Sequence, residues 1–180
     1  PSLNSSQFTH LCHAFVTADT SGTVKCDGNL PSRELAEWAH ATGAKVLLSL
    51  GGMDSGNYFG PMMRSPEARE RFVTAVTKMV VDYGYDGVDL DWEFPKGEED
   101  MANFVVMAKR FRETLDVARP GSLITSALSG VQWAGRWIDA DGLAPYVDFI
   151  NVMTYDMHGP WGDHAGFNST VHHDPRDRAA

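Results

Sequence analysis

The sequence predicts an α/β fold, a parallel sheet with helices packed outside it. Three observations carry this. Strand-length apolar runs alternate with amphipathic helical stretches along the chain. Lys45 to Leu50 (KVLLSL) reads as a strand covered on both faces, as parallel strands are. Three polar clusters fall at the carboxyl ends of predicted strands, where parallel α/β sheets gather their functional groups. They are Ser49-Leu50-Gly51-Gly52, an acidic run at 86–93, and Met153-Thr154-Tyr155-Asp156.

Taken in order, Phe8 to Thr17 (FTHLCHAFVT) is a first strand, and the polar, turn-rich Thr20 to Gly28 is a loop. Ser32 to Thr42 is a short helix with Leu35, Trp38 and Ala39 on one side and Gly43 as its stop. Lys45 to Leu50 ends at Gly51-Gly52 and opens into a loop over 53–64. Ser65-Pro66 starts the next helix with a capping hydroxyl and a proline at the first helical position. Phe72, Val76, Met79 and Val80 form its apolar stripe, and Gly84 ends it. The acidic strand covers 85–91. Glu98 to Ala118 is a long helix with Phe104, Met107, Phe111 and Leu115 at helical spacing, stopped by Pro120-Gly121. Ser122 to Leu128 is a strand, Ile138 to Leu143 a weak helix, and Val147 to Thr154 a last strand. That makes five strands. A closed eight-strand barrel takes about 250 residues. Residues 162–180 are polar and expected to be loosely ordered.

The acidic strand is the most informative stretch. Asp86-Gly87-Val88-Asp89-Leu90-Asp91-Trp92-Glu93 places four carboxylates in a run that otherwise reads as a strand. Side chains alternate across a strand, so Asp89, Asp91 and Glu93 share one face and Val88, Leu90 and Trp92 the other. Acids two residues apart lie about 6.6–7 Å apart at the backbone, close enough to raise one another's proton affinity. A protonated acid beside a carboxylate is what acid-catalysed bond cleavage needs. The spacing does not fit a calcium loop, because Gly87 comes too early and apolar residues separate the acids.

The pattern Asp86-x-x-Asp89-x-Asp91-x-Glu93 resembles the D-x-x-D-x-D-x-E signature of glycoside hydrolase family 18, the chitinases and their relatives. FTHLCHAFV resembles that family's second barrel strand, KVLLSLGG the third, the acidic strand the fourth, SLITSALSG the fifth and VDFINVMTYD the sixth. The resemblance therefore implies a (β/α)8 TIM-barrel type of fold, incomplete, with residues 1–180 as a partial catalytic barrel holding about strands 2–6. It implies an endo-acting chitinase that cleaves β-1,4 N-acetylglucosamine linkages with retention, by a substrate-assisted route. Glu93 would protonate the glycosidic oxygen. Asp91 would hold the acetamido N–H, Asp89 would share a proton with Asp91, and Tyr155 would donate to the acetamido oxygen. Asp156, Met153, Ser49, Gly51 and Trp161 fall to substrate binding, with Ser49 also supporting the buried aspartates. Trp161 has packing on its own barrel as an alternative. Asp86 and Gly52 are structural parts of the motif. Phe94 stands where many members have tyrosine. An endo-N-acetylglucosaminidase acting on glycans keeps the same chemistry. A lectin on the same fold is a competing class that usually lacks the terminal glutamate.

Composition narrows the partners. The formal net charge of −9 argues against nucleic acid or an anionic membrane and suits a neutral polysaccharide. No apolar run approaches a membrane span. The chain begins at Pro1 without methionine and is read as processed or as a fragment. Cys12 and Cys26 are expected as two ordinary free thiols, with pairing left open. The seven histidines show no usual metal spacing, so neither a metal nor another cofactor is expected. The partner expected is chitin or a chitooligosaccharide, met outside the cell by a monomeric protein; the extracellular setting follows from the insolubility of that substrate.

Overall fold

The structure, a computed structural model, describes residues 7–26, 28–162 and 164–172. A six-stranded sheet is its centre, with strands β1 (His10–Ala18), β2 (Val24–Cys26), β3 (Lys45–Gly52), β4 (Gly87–Trp92), β5 (Leu123–Ser129) and β6 (Phe149–Met153). Their spatial order is β2-β1-β3-β4-β5-β6. All neighbours are parallel except the β1–β2 pair. Between strands run α1 (Arg33–Ala41), α2 (Gly56–Arg64), α3 (Pro66–Tyr83), α4 (Glu98–Ala118), α5 (Gln132–Gly135) and α6 (Ala140–Leu143). The architecture agrees with the predicted α/β class and with an incomplete barrel.

Two predicted loops are structured. Thr20 to Gly28 contains β2, so the described residues hold six strands and not five. The Asp19 carboxylate accepts the N–H groups of Ser21 and Thr23, and Gly22 adopts φ +78°. This tight turn sends Val24–Cys26 back antiparallel to Val16–Ala18. The turn chemistry was visible; the three-residue return was too short to read. Residues 53–64 hold α2, although Gly56, Gly60 and Pro61 are poor helix interior residues. Burial of Phe59, Met62 and Met63 overrides that propensity. Gly60 lies where a Cβ would come within 3.2 Å of Asp100 Oδ1, so α2 packs closely on α4. The weak helix predicted at Ile138 to Leu143 is shorter, beginning at Ala140, and α5 precedes it.

The remaining signals hold. Ser32 and Ser65 cap α1 and α3 through their hydroxyls, which accept from Leu35 N–H (3.1 Å) and Ala68 N–H (3.2 Å). Gly84 ends α3 at φ +80°. Leu48, Leu50, Val88, Leu90 and Trp92 face Phe72, Val76, Phe104 and Phe111 in one buried cluster between sheet and helices. Residues 161, 162 and 164–172 form neither helix nor strand, and the rest of the predicted loose tail lies outside the described residues.

Asp86 sits just before β4. Its carboxylate accepts from Val46 N–H (2.9 Å), His40 Nε2 (2.8 Å) and Lys45 Nζ (3.2 Å). Burial works to raise its pKa, but those hydrogen bonds outweigh it and hold the group below the usual carboxylate value. Asp148 is placed likewise before β6, its carboxylate accepting from Ile124 N–H (2.7 Å) and Arg112 (2.6 Å). Each aspartate ties the start of its own strand to the strand before it.

Phe59 joins the layers under the polar end of the sheet. It is fully buried and packs edge-on against Tyr58, Phe72 and Trp92, with centroid distances of 4.8, 5.7 and 5.6 Å. Phe59→Ala is expected to destabilise the fold by about 3–5 kcal/mol, the usual range for a deleted core ring. Chemical denaturation measures this, and a loss below about 1 kcal/mol would show that the aromatic cluster does not hold α2 to β4.

Candidate active site

The parallel register sets the site. Ser49 of β3, Asp89 of β4 and Thr125 of β5 are neighbours across three strands. Both hydroxyls donate to Asp89, Ser49 Oγ to Oδ2 (2.9 Å) and Thr125 Oγ1 to Oδ1 (2.5 Å). Asp89 is buried, and the two bonds satisfy one oxygen each. Cys12 on β1 lies within reach of the charges of Asp89 and Asp91. Burial, then the charges of Asp89 and Asp91, push this thiol up to about 12, so it stays protonated. Cys12 is a free thiol, as is Cys26.

Asp91 lies one step along the same face, opposite Gly51 in register. It is 6% exposed, and its Oδ1 accepts no hydrogen bond among the described residues. Burial, then the charges of Glu93 and Asp89, push its pKa up to about 7. Glu93 follows at the end of β4 and opens onto solvent. Burial raises its pKa too, with the charges of Asp156 and Asp54 adding to the effect. Trp92, on the opposite face, is 1% exposed and packs on Phe59 and Phe104.

A serine missed in the sequence fixes the backbone here. Ser55, fully buried at the start of α2, accepts from Glu93 N–H (2.7 Å) and donates to the Asp91 carbonyl (3.3 Å). Gly56 N–H donates to the Glu93 carbonyl (2.9 Å). Glu93 is thereby held from both sides of its own peptide units. Thr125, Asp54 and Cys12 were also missed. Thr125 had a readable signal, an inward polar residue on the strand after the acids. Ser55 had none, because 53–64 read as a loop.

Glu93, Met153, Tyr155, Asp156 and Trp161 line one cavity of about 380 Å³, together with Trp133 and others. Tyr155 is 52% exposed; burial of its ring, then the charges of Asp91, Glu93 and Asp156, raise its pKa. Asp156 holds φ +55° and accepts from Asn168 Nδ2 (3.0 Å). Ser49 and Gly51, expected at the substrate, are not among the residues lining this cavity: Ser49 reaches Asp89, and Gly51 lies level with Asp91 on the neighbouring strand. Gly51, at φ +118°, lets β3 pass so close to β4 that a Cβ would fall 2.1 Å from the Asp91 carbonyl oxygen. Gly52, at φ +80°, sits where a Cβ would strike the Phe15 ring. No three metal-ligating side chains converge among the described residues.

The sheet, with its row of acids ending at an open cavity, agrees with an incomplete α/β barrel. The chain belongs to the family described as glycosyl hydrolases family 18, whose model matches residues 2–179. A probable endochitinase of Caenorhabditis elegans is 32% identical over 182 residues, covering 91% of this chain and 30% of that protein. Probable chitinase 2 of Drosophila melanogaster is 35% identical over 133 residues, covering 71% of this chain and 27% of that protein. The crystal structure of Ostrinia furnacalis Group IV chitinase in complex with allosamidin superposes with a TM-score of 0.88 at 32% identity, covering 98% of this chain and 51% of that one. The chain thus spans about a third of those two curated relatives and about half of the solved one.

The raised pKa of Asp91 carries a stability cost. An unfolded aspartate releases its proton near 3.8, the folded Asp91 near 7. Between those values the unfolded chain loses its proton first, so the native state is destabilised as pH rises through this window and stays so above it. Asp91→Asn is expected to stabilise the fold at pH 8 by about 2 kcal/mol, after discounting for water in the cleft, and to give no gain at pH 3. Thermal melts at the two pH values test it. An equal effect at both would mean that Asp91 ionises normally.

Proposed function

We propose that residues 1–180 are part of a larger family 18 catalytic barrel, and that the protein is an endo-acting chitinase. The observation that carries this is the row Asp89, Asp91, Glu93: a buried acid held by two hydroxyls, a buried one of raised pKa whose Oδ1 has no partner among the described residues, and an acid of raised pKa at a cavity. The partial coverage of the relatives supports the larger barrel. So does β6, which among the described residues pairs with β5 alone and leaves Phe149, Ile150 and Val152 exposed.

Glu93, whose proton affinity is raised by burial and by Asp156 and Asp54, gives its proton to the glycosidic oxygen as the bond to the anomeric carbon breaks. The substrate's own N-acetyl carbonyl oxygen attacks that carbon from the opposite side, forming an oxazolinium ion. The unpartnered Oδ1 of Asp91 accepts the acetamido N–H and balances the growing positive charge. Asp89, held by Ser49 and Thr125, shares a proton with Asp91. Tyr155 donates its hydroxyl to the acetamido oxygen. Water then opens the ring, returns a proton to Glu93 and leaves the sugar with retained configuration. Asp156, Met153 and Trp161 contact the sugar in the cavity. Sugar C–H faces are apolar, which suits the exposed ring of Trp161. No metal or other cofactor enters this scheme. The setting is extracellular, the protein a monomer, and the partner chitin or its oligosaccharides.

In the complete domain, Glu93→Gln is expected to lower turnover of a chromogenic chitobioside by roughly 10²–10⁴ while oligosaccharide binding survives. Full activity in that variant would end the assignment of Glu93. The pH profile offers a second check. Turnover requires protonated Glu93, so it falls as pH rises past that group's raised pKa. Asp156→Asn removes a charge that raises this pKa. The alkaline limb is then expected to move to lower pH, and a limb left in place would show that a different acid is titrating.

A further inference from the structure

Beside the cavity that holds Tyr155 lies a second one of about 400 Å³, which shares Met53, Glu93, Phe94 and Trp133 with it and adds Lys96, Arg136 and Trp137. We propose that this second cavity is a subsite for a sugar carrying an anionic substituent, a sulfate ester or a carboxylate. The proposal rests on the glycosidase reading and names the substrate class it favours.

The cations of this acidic protein are mostly committed. Among the described residues Arg64 meets Glu99 and Asp100, Arg110 meets Glu70 and Glu113, Arg112 meets Asp148, and Lys45 meets Asp86. Lys25, Arg33 and Arg71 also form no ion pair among the described residues, but Lys96 and Arg136 stand together at one cavity. Neither has a carboxylate within ion-pair distance among the described residues, and both line the same cavity. The Arg136 guanidinium lies over the Trp137 ring, 5.6 Å from its centroid. Stacked that way, a guanidinium keeps its N–H edge free for an oxyanion. Trp133, 62% exposed, is braced edge-on by Phe94 at 5.4 Å and offers a flat face to a sugar ring. The size is within the range of small-ligand sites.

The cavity also holds charges of both signs. Asp54 and Glu93 stand in it with the two cations, and the Asp54 charge reaches Glu93. A ring entering with its scissile oxygen toward Glu93 brings a substituent to the basic groups. A neutral ring leaves two cations without partners there, and a cationic amino sugar is repelled by them. An anionic group gains two charge-assisted contacts.

The test compares kcat/KM for three chitooligosaccharides of equal length, one neutral, one sulfated and one bearing a carboxylate, on the full-length protein that carries this segment. Exposed ion pairs contribute modestly, so the expected preference for an anionic substrate is roughly fivefold at low salt. It falls toward one in about 1 M salt, where surface charges are screened. The double variant Lys96→Ala, Arg136→Ala is expected to bring the ratio to about one, and Lys96→Arg to keep it. Preference for only one of the two anionic substrates identifies the source of the negative charge. A ratio of one or less for both, with the neutral substrate still hydrolysed, overturns the subsite and leaves the glycosidase reading standing. If nothing is hydrolysed, but tryptophan quenching shows anionic oligosaccharides binding tighter than neutral ones through Lys96 and Arg136, the glycosidase reading fails and the anionic subsite stands. Quenching without that dependence overturns both.

Discussion

Three carboxylates on one face of one strand repel one another, and the surrounding structure is arranged so that they need not all be charged. Asp89 has a hydroxyl for each oxygen, from Ser49 and Thr125. Asp91 has no such partner for Oδ1 and is driven toward the protonated form. Glu93 is partly open to solvent and feels Asp156 and Asp54 across the mouth. One crowded row therefore yields three acids of different character, graded from the sheet interior to the cavity. That gradient is what acid catalysis requires, since one group must keep a proton while its neighbours manage charge.

The gradient depends on rigid backbone. Register between β3, β4 and β5 puts Ser49, Asp89 and Thr125 in one line, and a one-residue slip would turn all of them to the helix side. The register is pinned on both faces. Val88, Leu90 and Trp92 are locked in the apolar layer with Phe59 and Phe104. On the other side Gly51 admits β3 against the Asp91 carbonyl, and Ser55 bonds the peptide units around Glu93. Packing energy spent on the outer face thus appears as positional accuracy on the inner one.

Most of the fold was legible because its signals are local. Ser65-Pro66 and Gly84 mark α3, and the apolar stripe of 98–118 gives α4 to the residue. The acids announced themselves by period-two spacing. What escaped was of two kinds. The pairing of Val24–Cys26 is a three-residue event at a sheet edge, below the length at which alternation can be counted. The helix Gly56–Arg64 contradicts its own composition and exists because Phe59, Met62 and Met63 find a core. With that helix hidden, Ser55 was hidden too. The sequence also could not say how deep Ser49 and Gly51 lie, since it reports which face a residue takes and not its depth; the register sets them level with Asp89 and Asp91.

The sequence alone determined the α/β class, the family and the face shared by Asp89, Asp91 and Glu93, because alternation and helix signals are properties of adjacent residues. Only the tertiary structure decided how those acids differ. Proton affinity depends on burial and on the distance to Thr125, Asp54 and Asp156, residues 36 to 63 positions away in the chain or drawn in from a separate loop. The meeting of Lys96 with Arg136 is of the same kind: two unremarkable basic residues become one site only when the ends of β4 and β5 are brought side by side.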